Sequence, residues 1–385
     1  MLLTAPRDGH YPLVTTDSRL EELAHSLDPQ EPLALDTERA SGFTYNDGAY
    51  LVQLRQEGCG TFLVDAAALR DSIPKILAPR VNSCPWVLHA AISDLPCLEE
   101  LSMRPPTLFD TEVAGRFLGF DKVNLAAMTN AILGIDLKKG HAAENWSKRP
   151  IPRSWLIYAA LDVELLVELA DALTELLDRD GKLDWAREEF AYIVANPPHH
   201  EPKSWLDVKG VRRMHGPQLQ AARALFTTRD SIARKKDVAP GRILNNKLLS
   251  ELASVHPTTA SDAATIMRGR SNPRKWASVI RAALDEPRTS WAQLPHEEGT
   301  PSKGAWKRLS TPAWEALHEA HDILDEIATD RSVDPIVLLS PALLRDFIWG
   351  RIVDGDETGA EQKLLELGAR HWQVELVASP LEEIL

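Results

Sequence analysis

Apolar positions change period part-way along the chain. PLALD (32–36), AYLVQL (49–54), TFLVD (61–65) and WVLH (86–89) are short runs rich in Val and Leu, most with Gly or Pro nearby. Such runs predict strands. The first three lie close enough for antiparallel hairpins, so a mixed sheet led by a three-strand meander is expected. Three- and four-residue steps follow in SDLPCLEEL (93–101), TEVAGRFLG (111–119) and NLAAMTNAILG (124–134). These predict helices, two of them closed by glycine. The spacing further predicts one long helix from about Pro152 to Asp178, with a proline near its start and Gly181 past its end.

At NPPHHEP (196–202) periodicity stops and two prolines adjoin, which marks a boundary. Everything beyond reads as helical, interrupted by DEPRTSWAQLPHEEGTPSKG (285–304). The two helical stretches repeat. At a constant offset of 95, Val238, Pro240, Leu244, Leu248 and Leu249 meet Val333, Pro335, Leu339, Leu343 and Leu344. A gapless match of that kind points to two copies of one small helical unit. The expected organisation is an α/β domain over residues 1–196, then two all-α domains over 197–290 and 304–385.

Composition excludes several classes. The chain has 385 residues, 44% hydrophobic and 26% charged, as ordinary globular proteins do. No run reaches the ~18 apolar residues of a membrane span. The first residues lack a basic region followed by an apolar core, so no secretory signal is read. Cys59, Cys84 and Cys97 form no CxxC and suit a reducing cytoplasm. The net charge of −13 hides a segregation. Residues 201–290 carry 17 Lys and Arg against 8 Asp and Glu, whereas residues 304–385 carry 7 against 16. The basic stretch has clusters at Arg212-Arg213, Arg234-Lys235-Lys236 and Arg268 through Lys275. A basic block inside an acidic chain suggests a polyanion-binding module. The plainer reading is a surplus of solvated cations.

Three motifs carry candidate chemistry. In LALDTE (33–38) a strand delivers Asp36 and Glu38, which share one side because strand side chains alternate. Their repulsion calls for a cation between them, unless the strand end is solvated. In WVLHAAISD (86–94) a strand ends at His89 and a helix begins near Ser93, with Asp94 in its first turn. Capping alone would explain that Asp. Tyr158 and Asp162 stand four apart, hence on one helix face, among Ile157, Ala159, Ala160, Leu161 and Val163. A carboxylate there is costly to bury unpartnered, and otherwise must be exposed. Together the four carboxylates suit hard divalent cations. Two such ions about 4 Å apart make a phosphoryl-transfer site. No GxxxxGK[ST] is present, so no nucleoside triphosphate is expected. Cys84, His89 and Cys97 lack the spacing of a zinc site.

The three motifs, in this order, resemble the DEDD superfamily of 3′→5′ exonucleases. Tyr158 four before Asp162 is similar to its Tyr-bearing branch, and the repeated helical tail resembles the ribonuclease D family with its HRDC-type domains. DTERASGF (36–43) is similar to the actinobacterial version. The resemblance implies a ribonuclease H-like sheet flanked by helices. It implies two Mg²⁺ or Mn²⁺ ions on Asp36, Glu38, Asp94 and Asp162, with Tyr158 positioning the attacking water. It implies release of 5′-monophosphates from the 3′ ends of tRNA precursors and other small structured RNAs, by a cytoplasmic monomer. Arg39 stands where the family often has Phe. Phe43 is then expected to take the apolar contact with the terminal base, and Arg39 a phosphate. His89 and Lys139 complete the expected contacts to the 3′ end. Arg212, Arg213, Arg234, Lys235 and Lys236 are expected to hold the body of the RNA. The competing readings are a 3′→5′ DNA exonuclease of repair, since the metal site cannot tell the two nucleic acids apart, and a catalytically silent nucleic-acid-binding protein.

Overall fold

The computed structural model describes every residue except 139, 142, 200–201, 270–271 and 296–298. Among the described residues eight strands form: β1 Leu2–Leu3, β2 Leu13–Val14, β3 Leu33–Arg39, β4 Ala49–Gln56, β5 Gly60–Val64, β6 Trp86–Leu88, β7 Leu108–Asp110 and β8 Asp136–Leu137. Six make one sheet in the order β2-β5-β4-β3-β6-β7, and β1 pairs with β8. The expected meander is β3-β4-β5, paired antiparallel; β2 joins β5, and β6 and β7 extend the other side, all in parallel. β3 is central, covered on both faces. Leu33 and Leu35 enter the main core, while Ala34 packs with Val87, Val163 and Leu166 on the opposite face. That double burial is why its run is apolar without alternation.

The long helix expected over 152–178 is two helices, Arg153–Glu164 and Leu166–Arg179, broken at Leu165 (φ −115°, ψ 4°). Packing outweighs propensity here. The first half lies on β3, β4 and β5, whereas the second turns toward the helix Thr111–Phe117 and β6. One straight rod cannot follow both parts of a twisted sheet. An ion network holds the bend. The buried Glu164 meets Arg7 Nε and Arg55 Nη1, each at 3.1 Å, and Arg7 also pairs with Glu168. Arg149, just before this helix, grips Asp65 through Nε and Nη2, both 2.7 Å.

The two C-terminal stretches share one element order. Helices Pro217–Lys236, Pro240–Ile243 and Asn246–Val255 have counterparts 95 residues on in Thr311–Arg331, Pro335–Leu338 and Pro341–Ile352. The long helix of each ends in a left-handed residue, Asp237 (φ 45°) and Ser332 (φ 50°). In each, the next amide turns back five residues, Val238 N–H to the Ala233 carbonyl and Val333 N–H to the Ala328 carbonyl. Both turns dock on the α/β domain. Ala239 N–H donates to the Phe43 carbonyl (3.0 Å), and Tyr45 N–H to Asp237 (3.1 Å). Asp334 N–H donates to the Arg116 carbonyl (2.8 Å), and Lys182 Nζ to the Ser332 carbonyl (3.0 Å).

Their cores differ. Val208, Leu225, Leu249, Trp276 and Ile280 form a separate core. Trp306, Leu317, Phe347 and Trp372 instead belong to the main core with Leu33, Leu88 and Phe117. Trp372 bridges the two domains, 5.0 Å from the Phe117 ring and stacked on Trp185 at 5.4 Å. Arg370 pairs with Glu189 across the same boundary (2.6 Å). Calorimetry should therefore resolve the 208–292 body from everything else. Trp372→Ala should lower the stability of the larger body by about 3–5 kcal/mol and leave the melting of the smaller unchanged. A single transition moved as a whole would show that the cores are not independent.

Candidate active site

Asp36 and Glu38 leave the same face of β3, and the register shifts between Glu38 and Arg39. Bulges of this kind re-aim side chains beside active sites. The helix Arg153–Glu164 crosses that face and supplies Asp162. Carboxylate oxygens of Asp36, Glu38 and Asp162 all lie within 4.8 Å of one another. Glu38 is buried, and the other two are partly buried. The exposed readings of the strand end and of the mid-helix Asp are thus not what the fold adopts.

Asp94 approaches from β6. Here the expected helix start is a 3-10 turn, Ala91–Ser93, followed by the helix Leu95–Glu99. Asp94 occupies the cap position, yet its side chain caps nothing. It is 5% exposed and accepts a hydrogen bond from the Thr37 hydroxyl. Asp94 therefore sits beside the cluster of three rather than within its 4.8 Å span. The loop that carries it is fixed by Asp110, a fully buried residue. The carboxylate of Asp110 accepts from Ala90 N–H (3.0 Å), Ala91 N–H (2.8 Å) and Glu112 N–H (2.9 Å). These bonds hold Ala90 in the left-handed region (φ 59°), which an alanine rarely enters. Sequence reading misses this role of Asp110; the distant Ala90 and Ala91 alone reveal it.

Desolvation dominates the electrostatics. Asp36 and Glu38 are pushed well above the usual carboxylate range, first by burial and then by the neighbouring acids. Burial also raises Asp94 to about 6 and, with repulsion from Asp94, Asp162 to about 7. Arg39 opposes the rise at Asp36, Glu38 and Asp94. Tyr158 faces Asp162 one helical turn on, and burial with the three nearby carboxylates raises its pKa. An oxygen-only set of acids that repel one another fits a hard divalent cation, which alone would hold all of them ionised.

The residues expected to touch RNA are scattered. His89 is lowered to about 4 by burial, hence neutral, and its Nδ1 lies 2.9 Å from the Thr111 hydroxyl. Phe43 lies under Arg242, 4.3 Å from ring centre to guanidinium, at the contact with the first helical domain. Arg234 bonds the Tyr45 hydroxyl (3.0 Å) and pairs with Asp230 (3.4 Å) at the same contact. Lys235 and Lys236 are exposed, as are Arg212 and Arg213 on a 3-10 turn. Lys139 lies outside the described residues.

Comparison with known proteins agrees with this geometry. The profile described as 3′-5′ exonuclease matches residues 11–178, that of the HRDC domain residues 218–275, and that of the 3′ to 5′ exonuclease C-terminal domain residues 299–385. Ribonuclease D of Gluconacetobacter diazotrophicus is 27% identical over 369 residues, covering 90% of this chain and 91% of that one. Ribonuclease D of Pseudomonas paraeruginosa is 32% identical over 273 residues, covering 69% and 70%. A crystal structure of a protein from Bifidobacterium adolescentis superposes with a TM-score of 0.86 at 33% identity, covering 100% of this chain and 99% of that one. Escherichia coli RNase D, described as an exoribonuclease involved in structured RNA processing, shares the fold at a TM-score of 0.69 and 20% identity, covering 98% of each chain. Motifs, fold and relatives converge, and the chain belongs to the ribonuclease D family of 3′→5′ exoribonucleases.

Proposed function

We propose that Asp36, Glu38, Asp94 and Asp162 hold two divalent cations, Mg²⁺ or Mn²⁺, and that the enzyme trims tRNA precursors and other small structured RNAs in the cytoplasm, acting as a monomer without a nucleoside triphosphate. The observation that carries the reading is the convergence of Asp36, Glu38 and Asp162 from β3 and one helix, with burial that leaves them unstable as bare anions. When bound, the cations supply an activated water and neutralise the leaving oxygen. Tyr158 stands one turn from Asp162, where its hydroxyl can orient that water once the acid is engaged. Arg39 adds a fixed positive charge at the mouth for the terminal phosphate. The basic domain offers Lys235, Lys236, Arg212, Arg213 and Arg234 to the body of the RNA, with Arg234 also bonded to Tyr45 at the domain contact.

Asp36→Asn, Glu38→Gln, Asp94→Asn and Asp162→Asn should each nearly abolish release of mononucleotides from 3′-labelled RNA, with losses far from additive because the ligands act as one unit. Tyr158→Phe should slow the rate by roughly 10²-fold with metal binding intact. A variant of the four acids that keeps more than about a tenth of the rate would remove that residue from the set.

Metal and pH should be linked with a definite sign. Unfolded carboxyls lose their protons near pH 4, whereas folded Asp94 and Asp162 keep theirs to about 6 and about 7. Over that window the folded, metal-free state binds the extra protons, so these groups make it less stable as pH rises. The gap in thermal midpoint between metal-loaded and EDTA-treated protein should therefore widen from about pH 5 to about pH 7.5. A constant gap would show that the acids are ionised throughout.

Reversing Lys235 and Lys236 to Glu should weaken binding of a tRNA precursor. It should also flatten log affinity against log salt by about one unit for each phosphate that the protein no longer neutralises. Cleavage of a short single-stranded oligonucleotide should change little. An unaltered salt slope would place the RNA elsewhere.

A further inference from the structure

β4 carries a polar side chain, Gln53, where the face it shares with Leu51 calls for an apolar one. Leu51 on the same face packs against Trp155 and Ala159 of the overlying helix, and Gln53 follows two residues later. Gln53 is 0% exposed. In the register of β3 and β4 it stands directly opposite Asp36, and its Nε2 donates to Asp36 Oδ2 at 3.2 Å. Its Oε1 is buried and has no hydrogen-bond partner among the described residues. Space filling does not call for an amide at such a place, since an aliphatic side chain of the same length would bury no orphan oxygen.

We propose that Gln53 is a positioning residue for the cation site. Its amide holds one oxygen of Asp36, which sets the rotation of that carboxylate and leaves the other oxygen to the ion. Thr37, the residue after Asp36, does the equivalent for Asp94 from the other side of the strand. The inference rests on the reading of Asp36 as a metal ligand.

The test measures Mn²⁺ binding to the full-length, metal-free chain by calorimetry, beside its thermal unfolding in EDTA. The wild type should bind Mn²⁺, and Asp36→Asn should lose that binding. Gln53→Met should weaken Mn²⁺ binding by about 10- to 100-fold, with an EDTA midpoint equal to or above that of the wild type. Excess Mn²⁺ should then restore its rate of RNA cleavage. Gln53→Leu serves as a second apolar replacement should the methionine variant fold poorly. Affinity within about twofold of wild type in a folded variant would overturn the role of Gln53 alone. So would a fall in affinity that tracks a fall in the EDTA midpoint, which would make the amide a packing element. Failure of the wild type itself to bind Mn²⁺ through Asp36 would overturn the metal reading and this inference with it.

Discussion

Mutual repulsion among buried carboxylates is the constraint around which the catalytic half is arranged. Asp36, Glu38 and Asp162 are driven into one small volume, with Asp94 alongside, where burial and the neighbouring acids disfavour their charged forms. A fold can hold such a cluster only if the elements that deliver it are fixed by other forces. β3 is pinned between two strands and covered on both faces. The helix that supplies Tyr158 and Asp162 is anchored by Glu164, two residues beyond, through Arg7 and Arg55. The loop before Asp94 is locked by Asp110 through the backbone amides of Ala90 and Ala91. Arg39 moderates the cluster without neutralising it.

The helical half solves a different problem twice with one unit. The same left-handed turn, 95 residues apart, docks each copy on the α/β domain through a backbone amide and an Asp. The surroundings then separate the copies. The acidic one merges its aromatic residues into the main core and becomes part of the catalytic body. The basic one keeps a core of its own and touches the loop that leaves β3, only a few residues past Glu38.

Much of this was legible in the residues. The meander, the carboxylate pair on one strand face, the Tyr158–Asp162 helix face, the repeat and the charge segregation are all periodicities or local sums, and local sterics enforce them. What the residues left open were relations between distant segments. Whether Asp94 caps a helix or turns inward depended on Thr37, 57 positions earlier. Whether the helix after Pro152 ran straight depended on the twist of the sheet beneath it. Arg234 and Phe43 each meet a partner across a domain boundary, Tyr45 and Arg242, which no local pattern foretold.

The sequence by itself thus determined the elements, the class of chemistry and the candidate ligands, because side-chain spacing within one strand or helix follows from backbone geometry alone. Only the tertiary structure decided which cations were spent on the fold and which polar groups were buried beside the acids. It also decided that one helical copy shares the catalytic core and the other does not. Desolvation and pairing depend on what the chain brings from far away, and no local pattern encodes that.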